Sequence, residues 1–203
     1  MWDDLVARYA WADADELVVY TFSVISGMAE DEVIRAFGGD PAVSRAMTFD
    51  EAADEQASHL YEDYALLRVV TVDKHVIAIE WGYRGSIPEI ARRASVNGGE
   101  FFSVQQTVNG HSQVIHAFDG RVDGMFDPAD LEDAPWVDPV PEIPSWATGV
   151  AFHLGALGAE SLVLMEHVMG VPVDPALMGA PLRTVVLASP DALFGDLEAA
   201  WLP

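Results

Sequence analysis

Glu80, Trp81, Tyr83 and Arg84 are the residues of this sequence whose types and spacing best suit chemistry, in the run Glu80-Trp81-Gly82-Tyr83-Arg84-Gly85 with Arg92 and Arg93 close behind. A carboxylate, two rings and several guanidinium groups at this spacing admit two readings. In the first, Glu80 ends an apolar run and pairs with an arginine beneath the loop, fixing it as charge-assisted pairs commonly do. In the second, Glu80, Trp81, Tyr83 and Arg84 line a pocket for a small ligand or a substrate. Other chemistry finds less support. His59, His75, His111, His116, His153 and His167 form no H-E-x-x-H pair, and Glu166-His167 lacks a second histidine one turn away. His111 and His116, an odd number of residues apart on a strand, are expected on opposite faces of a sheet. Asp119, Asp123 and Asp127, with Asp130, Glu132 and Asp133, miss the EF-hand spacing, and Asp-Gly turns explain the first two. There is no cysteine, no G-x-S-x-G elbow and no phosphate-binding glycine loop. No metal and no cofactor are expected.

Charge is the strongest global signal. The chain of 203 residues carries 33 acids against 10 lysines and arginines, a formal net charge of −23, where small domains usually carry about 2 to 8. Such an excess repels nucleic acid and anionic membrane surfaces and speeds encounter with a basic partner. An organism-wide acidic bias or simple solubility is the plainer explanation. The acids are not spread evenly: residues 1–63 carry net −12, residues 64–118 net +1, and residues 119–142 net −7. A near-neutral middle is thus flanked by two anionic segments.

The elements that must position these residues follow from pattern. Hydrophobic residues make up 51% of the chain, enough for a core without staples. Leu17 to Ile25 reads as a buried strand, and Glu30 to Phe37 as a helix with acids in its first turn and Gly38 after its end. Thr48-Phe49-Asp50-Glu51 matches a capping box that opens a helix to about Tyr61. Ala65–Val72 and His75–Trp81 read as a hairpin turning at Asp73-Lys74. Gly82 to Ser86 is a loop, and Pro88 suits the first turn of a short helix through Arg93. Phe101–Val108, Ser112–Phe118 and Val122–Phe126 form a meander turning at Asn109-Gly110 and Asp119-Gly120. Trp146 to Val171 is apolar, but His153, Glu160, Glu166 and His167 make a bilayer span costly, so core helices are expected there, one of them Gly158 to Met169. A short helix from Asp174-Pro175, a late strand from Leu182 to Ala188 and a helical tail complete the chain. The expected fold is α+β: an antiparallel sheet, built as a hairpin plus a three-stranded meander, packed with several α-helices. It occupies one domain over residues 1–203, with an acidic proline-rich loop at about 127–145 and a mainly helical C-terminal portion. The start of the chain shows no basic, apolar leader, and a cytoplasmic location is expected.

The ordered motifs Phe22-Ser23-Val24-Ile25-Ser26-Gly27, Asp31 to Gly38, Thr48 to Ala52, Ile77-Ala78-Ile79-Glu80 and Tyr83-Arg84-Gly85-Ser86 resemble those of an uncharacterised actinobacterial family, domain of unknown function 6461. The resemblance continues through Pro88-Glu89-Ile90, Val108-Asn109-Gly110, Phe118-Asp119-Gly120, Met125 to Pro128 and Leu162 to Pro172. It implies no activity and no catalytic residues. Small acidic proteins of this kind also resemble immunity proteins that neutralise toxins, a fold-level analogy.

The reading that results is a non-catalytic acidic protein that binds a basic protein, in its most specific form an immunity- or antitoxin-like neutraliser of a toxin or effector. Asp50, Glu51, Asp54, Glu55, Glu62 and Asp63, with Asp127, Asp130, Glu132, Asp133 and Asp138, are the expected partner-binding acids, and Trp136 the expected aromatic anchor. The alternatives are the pocket at Glu80–Arg84 and, third, a DNA mimic.

Overall fold

The computed structural model describes residues 2–14, 19–107, 112–131 and 143–203. Among them, eight strands form one sheet in which every pair is antiparallel: β1 (Tyr20–Ser26), β2 (Arg45–Met47), β3 (Ala65–Val72), β4 (His75–Glu80), β5 (Glu100–Gln106), β6 (Ser112–Phe118), β7 (Arg121–Phe126) and β8 (Leu182–Leu187). Their order across the sheet is β2-β8-β3-β4-β1-β5-β6-β7. The α+β class is as expected. The hairpin β3–β4 and the meander β5–β6–β7 are both present, and β1 joins them by pairing with β4 on one side and β5 on the other. The turn at Asn109-Gly110 lies outside the described residues. At the second turn of the meander Asp119 has φ +49° and Gly120 φ +76°, the two left-handed residues that a tight hairpin requires.

Helices cover both faces of the sheet. Alternation along β1 sends Tyr20, Phe22 and Val24 to one face, where they pack with Phe102, Val104 and Ile79 against Tyr9 of α1 (Trp2–Tyr9) and Leu162 and Met165 of α5 (Leu157–Met169). Ile25, Ala78 and Phe101 turn to the other face, under Val33, Ile34 and Phe37 of the α2 segment (helix Glu30–Ala36) and Ile90 and Ala91 of α4 (Pro88–Arg93). A further helix, α3 (Phe49–Ala57), borders the cleft described below and is opened by the Thr48–Glu51 capping box. Short helices α6 (Ala176–Gly179), α7 (Pro190–Leu193) and α8 (Leu197–Ala200) follow.

Several features depart from the sequence reading. Residues 2–9, which the sequence pattern does not mark as an element, form α1, with Trp2, Leu5, Val6 and Tyr9 all packed on the core. Asp13 follows and caps α5, its carboxylate accepting the Gly158 and Ala159 N–H groups at 2.8 and 2.9 Å, as suits the positive end of a helix. Only one α-helix, α5, occupies the Trp146–Val171 stretch, preceded by a 3-10 turn at Ser145–Ala147. Gly149 (φ +88°) and Gly155 (φ +93°) keep the intervening chain non-helical. The late strand β8 is not peripheral: it inserts between β2 and β3, pairing Thr184 with Arg68 on one side and Arg45 on the other.

Candidate functional site

The candidate site is built where β4 runs out. On the α4 face of the sheet the core is apolar until the strand ends, where small polar residues replace it. The register sets Thr21 of β1 beside Glu80 of β4, and Ser23 of β1 beside Ser103 of β5, and all four side chains are buried. Buried polar groups need partners, and the loop 81–86 supplies them. Glu80 Oε1 accepts the Arg84 N–H at 2.9 Å and Oε2 the Gly85 N–H at 2.7 Å. The Thr21 hydroxyl donates to the Gly82 carbonyl at 2.6 Å, and that of Ser103 to the Gly85 carbonyl at 2.7 Å. From outside, the Gln56 amide on α3 donates to the Trp81 carbonyl at 2.7 Å and accepts the Leu66 N–H at 3.0 Å. The loop is therefore tied to β1, β5, α3 and β3 at once.

Glu80 does fix the loop, but not through an arginine side chain. Its carboxylate is satisfied by backbone amides, while Arg92 and Arg93 both pair with Glu89. Beyond that backbone N–H, the Arg84 side chain acts on Glu80 through its charge alone. Its guanidinium lies 5.5 Å from the Tyr83 ring centroid, and its Nε and Nη1 are buried without a hydrogen-bond partner.

Burial pushes the Glu80 carboxyl up to about 7, opposed by the two amide hydrogen bonds and by the Arg84 charge. The same group titrates near 4.5 when unperturbed. Between these values the folded protein keeps a proton that the unfolded chain has released, so Glu80 makes stability fall as pH rises through that window. The expected contribution is about 3 kcal/mol, complete above pH ~7.5 and absent below pH ~4. In Glu80→Gln the amide nitrogen must face one of the two backbone N–H groups, leaving a buried donor unsatisfied at about 1–2 kcal/mol. Urea melts of both proteins at pH 5 and pH 8 check this: the variant's deficit at pH 5 should shrink or reverse at pH 8, and an equal deficit at both would contradict it.

Above the loop lies an open cleft of about 290 Å³, lined by Trp81, Tyr83 and Arg84 from the loop, Tyr64 at the entrance to β3, and Glu62 and Asp63 from the turn after α3. Trp81, Tyr83 and Arg84 thus come together as the pocket reading expects. Glu80 lies beneath them and is only 2% exposed, with both oxygens engaged. Tyr83 is held on its far side by Trp201, with ring centroids 6.0 Å apart and planes 24° from parallel. Gln56 and Thr21, which position the loop, are not among the residues that sequence reasoning singled out. The alternation of Thr21 and Ser23 with Tyr20, Phe22 and Val24 was a signal that could have found one of them.

The expected partner-binding acids are distributed unequally. Asp50, Glu51, Asp54, Glu62 and Asp63 are exposed. Glu51 is also committed to its capping box, where its carboxylate accepts the Thr48 N–H at 2.8 Å. Glu55 is not a free surface acid: it is half-buried and bound by Arg45 and the Tyr64 hydroxyl. Asp127 is half-buried and accepts the Ala129 N–H at 2.9 Å in an Asx turn, and Asp130 is half-buried in the 3-10 turn Pro128–Leu131. Glu132, Asp133, Trp136 and Asp138 lie outside the described residues. Among the described residues the two acidic segments do not adjoin. α3 packs on β3, whereas the Pro128–Leu131 turn packs on β6, four places along the sheet, or roughly 19 Å at the usual strand spacing. Among the described residues no group of three or more histidines and acids is placed to hold a metal ion.

An antiparallel sheet clad by helices on both faces, with a braced loop and an aromatic-walled cleft at one end, defines the class: an α+β protein with a preformed cleft. The chain matches the model of the family of unknown function DUF6461 over residues 5–136 and belongs to that family. No curated protein and no solved structure matches it. The matched residues include the whole cleft, while α5 and β8 lie beyond them in the same sheet and core.

Proposed function

We propose that this protein is a non-catalytic binding protein that docks a basic protein on the surface formed by α3 and the turn that follows it. The observation that carries this reading is Tyr61, fully exposed next to Leu60, itself 68% exposed, with Glu62 and Asp63 directly after them. An aromatic and an aliphatic side chain held in water on an anionic rim have the make-up of an interface centre, where aromatic residues dominate the binding energy. Asp50 and Asp54 extend the negative field along α3 and would steer a cationic partner. Its specific form is an immunity- or antitoxin-like protein that covers the active site of a basic toxin or effector, and a cytoplasmic location goes with that role. Among the described residues no helix is long and apolar enough to cross a membrane.

Affinity capture from a lysate of the source organism, followed by reconstitution with the purified partner, tests this. A basic protein should form a defined complex at low salt and dissociate at high salt, since exposed charges are screened within about 8 Å at physiological ionic strength. Tyr61→Ala should weaken that complex at least tenfold, and Asp50→Asn/Asp54→Asn should slow association with little change in stability. A complex indifferent both to salt and to Tyr61→Ala would refute the reading.

A further inference from the structure

We infer that the cleft above the 81–86 loop is a binding site for a small zwitterion of the α-amino-acid class, its carboxylate received by Arg84 and its ammonium group by Glu62 and Asp63. This goes beyond the protein-partner reading and shares with it only Glu62 and Asp63, since Tyr61 and Leu60 do not line the cleft and Arg84, Trp81 and Tyr83 do. Arg84 is 3% exposed, and its Nε and Nη1 have no hydrogen-bond partner among the described residues. That is anomalous in a chain with 33 acids to 10 lysines and arginines. Arg68 is equally buried and has one unpartnered nitrogen, Nη1, but its Nε and Nη2 donate to backbone carbonyls, and Arg92, Arg93 and Arg183 each reach a carboxylate. The carboxylate whose charge acts on Arg84, that of Glu80, spends both oxygens on backbone amides. A buried guanidinium in this condition is matched by an incoming carboxylate, which planar guanidinium groups bind with the strongest geometry.

The rest of the cleft narrows the ligand. Glu62 and Asp63 line it, are exposed, and form no ion pair among the described residues. They repel a simple anion such as phosphate and attract a positive charge carried on the same molecule. Trp81, Tyr83 and Tyr64 offer ring surface between the two charged ends, so an aromatic side chain is favoured. The volume of about 290 Å³ is at the lower limit of small-molecule sites, about 300 Å³, which suits one residue rather than a long peptide.

L-phenylalanine and L-tryptophan, titrated into the full-length protein and followed by ¹H–¹⁵N spectra, are the probes. Each should bind with shifts centred on the Trp81 indole and the 82–85 amides. Phenylalanine amide, which lacks the carboxylate, and N-acetylphenylalanine, which lacks the ammonium group, should each bind at least tenfold more weakly. Glu62→Gln/Asp63→Asn, at exposed positions that do not endanger folding, should weaken phenylalanine at least fivefold and strengthen N-acetylphenylalanine, whose lone negative charge the two acids repel. Arg84→Met should abolish phenylalanine binding in a protein whose spectrum is otherwise preserved. Absence of binding by both amino acids, binding of the amide or the N-acetyl form as tight as that of phenylalanine, or shifts mapping away from the loop would each overturn the assignment. None of these outcomes bears on capture of a basic protein through Tyr61.

Discussion

Replacing Arg68 with alanine is expected to destabilise the protein by roughly 4 kcal/mol, more than any single surface change. Arg68 lies in the middle of β3 and is 1% exposed, yet among the described residues it has no carboxylate partner. Its Nε donates to the Met47 carbonyl at 3.2 Å, and its Nη2 to the carbonyls of Leu177 and Ala180 at 2.7 and 2.9 Å. One side chain thus bridges the end of β2 and the turn of α6 to the centre of the sheet. Burial lowers its pKa to about 10, while the charges of Asp50 and Glu51 at the start of α3 act the other way, so it remains a cation at neutral pH. Truncation leaves a cavity and strips three carbonyls of charge-assisted donors together. Lysine should restore less than half of the loss, because one ammonium group cannot span acceptors on both elements. Urea denaturation gives the magnitude. Hydrogen exchange gives the cause: amides of residues 176–182 should lose protection before those of α5, and a uniform loss would exclude the bridging role.

Arg68 also marks where the sequence stops being legible. Elements set by local rules can be read directly: the capping box at Thr48 and Glu51, the turn at Asp73 with φ +54°, Pro88 at the head of α4, and Gly170 with φ +71° closing α5. α1 belongs with them in principle, since Trp2, Leu5, Val6 and Tyr9 carry helical spacing, but the acids around them disguise it. What depends on distant partners cannot be read so. β2 is three residues long, two of them exposed, and is a strand only because β8 lies beside it. Arg68 resembles any charged residue in a half-exposed strand until β8 and α6 cover it. The site divides in the same way. Trp81, Tyr83 and Arg84 stand out as a local cluster, and the structure does bring them to one cleft. That Glu80 binds backbone amides, and that Gln56 holds the loop from α3, follows only from the loop's own conformation and from the packing of α3. The acids mislead for a related reason: a carboxylate in a helix looks the same on paper whether it is free, like Asp54, or bound by Arg45 and Tyr64, like Glu55.

The second large effect is expected at Gly85, and its size depends on a neighbour. A Cβ there would stand 2.5 Å from Ser23 Oγ, 2.9 Å from Thr21 Cγ2 and 3.2 Å from Glu80 Oε2. Thr21 and Glu80 cannot retreat cheaply, and Ser23 is fully buried. Thr21 holds the Gly82 carbonyl and Glu80 holds the Gly85 N–H, so the loop itself must lift. Gly85→Ala should cost about 3 kcal/mol, at the upper end for a small residue overpacked in a core. Ser23→Ala should by contrast be nearly neutral or slightly stabilising, because the Ser23 hydroxyl is buried without a partner and its removal orphans nothing. Combined, the two should recover part of the loss, since the tightest of the three approaches disappears while the one to Thr21 remains. The coupling between them is expected at about 1–2 kcal/mol, the range for residues in direct contact. Thermal or urea melts of the four proteins in the cycle measure it. Strict additivity would mean that the loop accommodates a methyl group by some other movement, and the close seating of the loop on β1, which places Arg84 at the floor of the cleft, would then be wrong.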